Sequence, residues 1–277
     1  MLVNLQEILT LAEREGKAIG MFNATGFDSL QAIVAAAEEL NEPVILAHAE
    51  VHNVFNDISM VGPAMLAVAR DARVPVCVHL DHGESLPMIE KAVDLGFTSI
   101  MIDASARPYE ENVALTRRVV ELCHPKGIGV EAELGRLATR EDESVNPEDF
   151  YTDPDEAADF IRQTGIDALA IAFGTAHGFY KSTPVLDFDV IASCRKSTGI
   201  PLVMHGGSGV SPEDYTHAIR AGIRKINYYS YMSKAGYNAA AEVIASGTSS
   251  YLHDVEFAAM KAMKEDVCRA IRVFSGK

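Results

Sequence analysis

The feature that most restricts the fold is a regular alternation. Short apolar or β-branched runs are each followed by longer stretches of helical period, and this occurs eight times along the 277 residues. The runs are Ala18 to Phe22, Pro43 to Ala47, Val74 to Leu80, Ser99 to Ile102, Ile128 to Ala132, Ala168 to Ala172, Leu202 to Met204 and Arg224 to Ile226. Between them lie helical patterns such as FDSLQAIVAAAEEL, SLPMIEKAVDLG, ENVALTRRVVELC and SPEDYTHAIRAG, several of which stop at Gly. Parallel strands need such crossovers, because a chain that always runs the same way must travel back between strands. Eight units in this length predict an α/β fold, a (β/α)8 barrel formed as one domain over 1–277. An additional C-terminal helical segment runs from Ser249 to Phe274, placed either on a neighbouring copy or over its own barrel. An open doubly wound sheet is the rival, but it needs no eightfold count, and no GxGxxG follows the first run.

A barrel of this kind collects its reactive groups at the C-terminal ends of the strands. The sequence places polar residues at those ends: Asn23, then His48 and Glu50, Asp81 and His82, Asp103 and Ser105, Glu131 and Glu133, His177, His205 and Asn227. The stretch HLDHGES, His79 to Ser85, is one sector of that ring. Three of its members, His82, His177 and His205, suit a catalytic metal, which takes three protein ligands and keeps one position open. A single histidine is more often a hydrogen-bonded loop residue; three at equivalent strand ends reverse that preference. His79 lies within its strand and is expected to pack or to support a ligand, while His124, His217 and His253 decorate loops or helices. Asp81 and Glu133 flank the same mouth, either to move protons or join the ligand set, or to orient a histidine.

The turn Gly206, Gly207, Ser208, Gly209 follows His205 directly and leads into the helix at SPED, so its backbone N–H groups can face an anion. Lys181, in HGFYKSTP, offers a cation nearby. The polar segment Arg136 to Asp153 reads as a long loop over the site, and its acids Glu141, Asp142 and Glu143 are either a solvated surface or carboxylates that reach the substrate on closure.

Composition narrows the partners. A formal charge of -15 repels polyanions, so neither nucleic acid nor an anionic membrane is expected. The four cysteines are scattered without a CxxC pair, which argues against a disulfide framework. No apolar run is long enough to span a bilayer and the N-terminal stretch lacks the marks of a secretory signal, which makes the cytoplasm the expected compartment.

With DHGES, MIDASARPYEENV, EAELG, GTAHGFYK, HGGSG and KIN in this order, the chain resembles the class II, metal-dependent fructose-bisphosphate and tagatose-bisphosphate aldolases from Asn4 to Lys277. The resemblance implies a barrel holding a divalent cation, usually zinc, and reversible cleavage of a ketose phosphate into dihydroxyacetone phosphate and an aldehyde through a metal-stabilised enediolate. It makes His82, His177 and His205 the zinc ligands and gives Glu133 and Asp103 to an alternative metal position. Asp81 becomes the base for the C4 hydroxyl, Asn227 the group that holds the enediolate, and Glu141 the acid that moves the proton beside the carbonyl. Asp142 and Glu143 are alternatives to Glu141. Gly178, Lys181, Gly206, Ser208 and Ser230 surround the phosphate end or a nearby monovalent cation, and Asn23 joins the substrate-binding set. A homo-dimer or homo-tetramer is also implied.

Two places depart from the family pattern. Tyr228, Tyr229, Ser230 and Tyr231 follow KIN where small residues and an acidic neighbour are usual, and Ala49 stands where a Ser or Thr is usual. Both changes lie on the substrate side, which predicts retained chemistry on an altered sugar. Competing readings are an imine-forming aldolase built on Lys225, a metal- or sugar-phosphate-binding barrel without turnover, and a zinc-dependent hydrolase.

Overall fold

The computed structural model describes residues 1–135 and 151–277. Its eight long strands are β2 (Ile19–Asn23), β3 (Val44–Ala49), β4 (Val76–Gly83), β5 (Ser99–Ile102), β6 (Gly129–Leu134), β7 (Ala168–Ile171), β8 (Leu202–Met204) and β9 (Ile223–Asn227). They run parallel in the order β4-β3-β2-β9-β8-β7-β6-β5, and β5 pairs back onto β4, so the sheet closes into a (β/α)8 barrel. A ninth strand, β1 (Leu2–Val3), pairs with Val76 and Cys77 beside the start of β4. It occupies the edge of β4 below the point where β5 begins.

Five strands outrun the apolar run that announces them. β4 continues to Gly83, β6 to Leu134 and β9 to Asn227, because alternate inward positions near the mouth are polar and end a hydrophobic run without ending the strand. Asn23, Asp81, His82, Glu133 and Asn227 are therefore strand residues, whereas Asp103, His177 and His205 follow the ends of β5, β7 and β8.

Two apolar regions form. The larger lies between strands and helices, where Val44, Leu46, Val76, Val78, Leu80, Ile100, Val130 and Ala132 meet the inner faces of the surrounding helices. The second lies inside the barrel, where Ile19, Met21, Ile45, Ala47, Cys77, Ala168, Ala170 and Val203 pack against Leu5, Ile8, Leu9 and Ala12. Those four residues share one face of α1 (Leu5–Glu15), at the i, i+3, i+4, i+7 spacing of a helix stripe. Helix α1 thus closes the lower end of the barrel. Its entry is fixed by Asn4, whose side chain accepts from the Glu7 N–H while Glu7 returns a bond to the Asn4 N–H.

The outer helices are α2 (Phe27–Leu40), α3 (Ile58–Asp71), α4 (Leu86–Leu95), α5 (Tyr109–Cys123), α6 (Pro154–Thr164), α7 (Phe188–Thr198), α8 (Pro212–Ala221) and α9 (Ser230–Ser246). The C-terminal helix α10 (Leu252–Ser275) packs on α2, α9 and β2, and buries Met263, Val267, Ile271 and Phe274. The C-terminal segment covers its own barrel. Its first turns and the outer face of α9 leave Tyr237, Ile244, Tyr251, Leu252 and Phe257 exposed. All four cysteines are buried free thiols, and no helix among the described residues is long and apolar enough to cross a membrane.

Candidate active site

The upper half of the barrel interior is polar in two levels. The lower level holds His79, Glu131 and Lys225, all fully buried. Lys225 Nζ lies 3.0 and 2.9 Å from the two Glu131 oxygens and donates to Asn227 Oδ1 at 2.8 Å, while His79 Nδ1 meets Ser99 Oγ at 2.7 Å. The upper level holds Asn23, Asp81, Glu133 and Asn227 at inward strand positions, and His205 directly after β8. Asn23 Nδ2 donates to Asp81 Oδ2 at 2.9 Å and Asn227 Nδ2 to Asp81 Oδ1 at 3.2 Å. Because Lys225 takes the oxygen of the Asn227 amide, the amide nitrogen is left facing Asp81 and the mouth.

A bulge brings His82 in as well. Leu80 pairs with Ile100 and Gly83 with Ile102, so Asp81 and His82 together oppose one residue, Met101. Extra residues of this kind re-aim side chains at barrel rims. His82 adopts φ 44°, a left-handed conformation that a non-glycine residue holds at a cost of about 1–3 kcal/mol. Gly83 completes the bulge because a Cβ there would sit 2.6 Å from the Met101 carbonyl oxygen. Glu50, at the start of the short 3-10 turn Glu50–Val54, accepts from the Glu84 and Ser85 N–H groups at 2.7 and 3.0 Å and so pins the turn that follows His82. Glu50 is thereby a structural brace.

The loop carrying His177 is tied to the turn after His205 by Tyr180. Its hydroxyl accepts from the Ala176 N–H at 2.9 Å and donates to the Gly206 carbonyl at 2.8 Å. Gly206, at φ 63°, lets the two backbones touch, since a Cβ there would lie 2.5 Å from the Ala176 oxygen. As a result one nitrogen each of His82, His177 and His205 lies within 4.8 Å of the others, and one atom each of His82, Asp103 and Glu133 forms a second such group. His177 is exposed, His82 half-buried and His205 buried.

Carboxylates set the tautomers. His82 Nδ1 lies 2.7 Å from Asp103 Oδ2, and His205 Nε2 lies 3.0 Å from Glu131 Oε1. An ionised carboxylate only accepts, so these nitrogens carry the protons and leave His82 Nε2 and His205 Nδ1 facing each other at 3.0 Å. Once His82 gives up its second proton, the two lone pairs at that separation suit a cation between or beside them. Glu133 Oε2 is buried without a hydrogen-bond partner, 3.6 Å from His205 Nδ1. Burial and the neighbouring Asp103 push the Glu133 carboxyl up to about 8. Although burial opposes its charge, Asp81, Asp103 and Glu133 raise His82 to about 10, whereas burial and the charge of His82 hold His205 well below the usual imidazole range. Burial also opposes ionisation of Asp81, yet His82, His205 and Lys225 keep it below the usual carboxylate range. The donor set carries more negative charge than its own protons neutralise, and it fits a divalent cation.

Gly206, Gly207 and Ser208 of the glycine turn are buried, with Ser208 Oγ accepting from the Tyr229 N–H at 3.0 Å. Helix α8 is not an open anion site, because Ser211 caps it by accepting from Asp214 N–H. Helix α9, which begins at Ser230, has no side-chain cap, so the uncapped helix N-terminus in this sector is the one after β9. Gly178 and Lys181 follow His177 in the same loop region; Lys181 is exposed. Glu141, Asp142 and Glu143 lie outside the described residues.

The three tyrosines have different fates. Tyr228 turns into the helix layer against Phe22 and Phe274, Tyr231 packs on Phe179 and the Gly209 turn, and Tyr229 alone stands at the mouth, its ring 5.2 Å from His52. Ala49 is buried beside Asp81, its pairing partner across β3 and β4.

Residues 3–277 match the protein family described as fructose-bisphosphate aldolase class-II. The chain belongs to that family. It is 44% identical over 231 residues to a fructose-bisphosphate aldolase of Staphylococcus aureus, covering 82% of this chain and 80% of the relative. A probable fructose-bisphosphate aldolase of Bacillus subtilis is 40% identical over 277 residues, covering 99% and 97%. Among solved structures, the YdjI aldolase of Escherichia coli K12 superposes with a TM-score of 0.90 at 37% identity, covering 99% of this chain and 97% of that one. Within this class II aldolase family member, Lys225 is engaged by Glu131 and Asn227 from three sides, which disfavours it as an imine-forming amine. The pair Lys225–Glu131 and the hydroxyl of Tyr180 are positioning elements that sequence patterning passes over, because their partners lie far apart in the chain.

Proposed function

We propose that the protein is a metal-dependent aldolase, with zinc as the expected cation, that reversibly cleaves a ketose phosphate into dihydroxyacetone phosphate and an aldehyde. The observation that carries this reading is the convergence of His82, His177 and His205 beside Asp81 and Asn227 at one barrel mouth. These histidines would hold the cation, with Asp103 and Glu133 as a second position sharing His82. A cation there supplies Lewis-acid stabilisation for the negative charge that grows on the ketose oxygens.

The protein groups divide the rest of the work. Asp81, ionised and fixed by Asn23 and Asn227, takes the C4 hydroxyl proton. The O–H electrons become the new carbonyl, the C3–C4 bond breaks, and its electron pair is left on C3 beside the ketone. The Asn227 amide N–H is aimed to donate to the oxygen that becomes negative, and Lys225 keeps that amide from turning over. Glu141 is the proposed proton donor to C3. Gly178, Lys181, Gly206, Ser208 and Ser230 would surround the phosphate, with a monovalent cation as a further proposed component. The whole chain 1–277 acts as one barrel domain, in a cytoplasmic homo-dimer or homo-tetramer.

The test is retro-aldol activity on a panel of ketose phosphates before and after chelation and zinc restoration. Cleavage that falls at least a hundredfold on chelation and returns with zinc is the expected outcome. Cleavage indifferent to chelators, together with borohydride trapping of substrate on the protein, would overturn it in favour of an imine mechanism.

A further inference from the structure

The mouth is chemically lopsided. On the side of β7, β8 and β9 lie Lys181, the glycine turn and the uncapped N-terminus of α9. Around β2, β3 and β4, the segments 24–40, 50–57 and 84–85, with 228–233 beside them, contain no Lys or Arg. They contribute Asp28, Glu50, Asp57 and Glu84 instead. Lys91, on α4, is already paired with Asp57 at 3.0 Å, so a second phosphate lying there would meet carboxylates and a lysine whose charge is matched.

What does stand there is a pair of rings from the two strands that flank β2. His52, in the turn after β3, and Tyr229, after β9, meet across the end of β2 with centroids 5.2 Å apart and at 49°. Phe55 lies 5.3 Å from His52 on its other side, and His48 lies 6.4 Å away behind it. Several polar atoms in this wall are buried and unbonded: both ring nitrogens of His48, Nδ1 of His52 and Nδ2 of Asn56. Ala49, in the neighbouring inward position, adds only a methyl group, which leaves the rings as the features that face a sugar chain.

Resting on the aldolase reading above, we infer that His52 and Tyr229 form the wall against which the aldehyde half of the ketose lies, and that this wall selects an uncharged, hydroxylated tail over a phosphorylated one. The substrate class is then a ketose 1-phosphate rather than a ketose bisphosphate. An imidazole and a phenol recognise such a tail because neutral imidazole donates through one nitrogen and accepts through the other, and a sugar hydroxyl does both. Their faces also offer apolar surface to the C–H groups of a sugar. Burial lowers both His48 and His52 from the ordinary imidazole value, which keeps the wall neutral near pH 7. Arg136 and Arg140 belong to the segment outside the described residues, so the experiment must read charge preference directly.

The experiment has two arms on the full-length, zinc-loaded protein. The first follows solvent deuterium exchange into dihydroxyacetone phosphate without any aldehyde, which reports the half-reaction that the wall does not touch. The second compares kcat/KM for matched pairs, fructose and tagatose 1-phosphates against their 1,6-bisphosphates, and for glyceraldehyde against glyceraldehyde 3-phosphate in condensation. The monophosphate or unphosphorylated member is expected to win by at least tenfold. His52→Ala should raise KM for the aldehyde at least tenfold more than KM for dihydroxyacetone phosphate. His52→Arg should move the preference at least tenfold towards the phosphorylated partner. Exchange with a preference for the bisphosphates, or with a charge preference that neither variant moves, overturns the wall but leaves the aldolase standing. Absence of exchange overturns both.

Discussion

At the scale of single residues, the site depends on groups that touch no substrate. Lys225 is fully buried, neutralises Glu131, and holds the Asn227 amide in one orientation. Removing one partner of such a pair strands a charge in the interior, which costs about 3–5 kcal/mol. Lys225→Met should therefore lower stability to urea by about that amount and reduce kcat as the Asn227 amide loses its orientation. The double variant Lys225→Met, Glu131→Gln should recover part of the stability but not the turnover. Recovery of turnover would show that Asn227 needs no anchor. None of this is visible in sequence: Glu131 and Lys225 stand 94 positions apart, and each reads locally as an oddity within an apolar strand. His82, Asp103, Glu133, His177 and His205, by contrast, are legible one at a time, because each stands where an apolar run gives way to polar residues.

At the scale of elements, the end of β4 is the most constrained segment. Its two-for-one bulge puts both Asp81 and His82 at the mouth, which regular alternation would forbid. Gly83→Ala would drive a methyl group to 2.6 Å from the Met101 oxygen and 2.9 Å from Leu80 Cδ2. Overpacking of this kind costs about 1–3 kcal/mol, and the expected result is a lower Tm together with weaker zinc retention in a dialysis competition. An unchanged Tm would mean that the bulge relaxes freely. The barrel itself is legible because its period is repeated eight times. The bulge is not, because DHGES has the composition of an ordinary turn and only the pairing of β4 with β5 exposes the extra residue. Helix α1 has the stripe of a helix in plain view, yet which surface that stripe covers is decided by the barrel interior, built from strands as distant as β8.

At the scale of the whole molecule, buried neutral imidazoles link stability to pH. Burial lowers His48 to about 4 and His79 to about 3, against an unfolded value near 6.5. Below pH 6.5 the unfolded chain takes up protons that the folded one refuses, so each group subtracts from stability as pH falls, until the folded value is reached. The slope is at most about 1.4 kcal/mol per pH unit for each. Urea unfolding from pH 7 to 4.5 should show this loss, and His48→Leu should flatten it. An unaltered slope in that variant would place the proton uptake elsewhere.

The helix beneath the barrel has a consequence for traffic. With Leu5, Ile8, Leu9 and Ala12 sealing the floor, nothing passes through the axis of the barrel below the catalytic level. Intact sugar and both of its fragments therefore share the rim at the strand ends for arrival and departure. Each fragment at high concentration should then slow the entry of the intact sugar, and initial rates measured with either one added would reveal it.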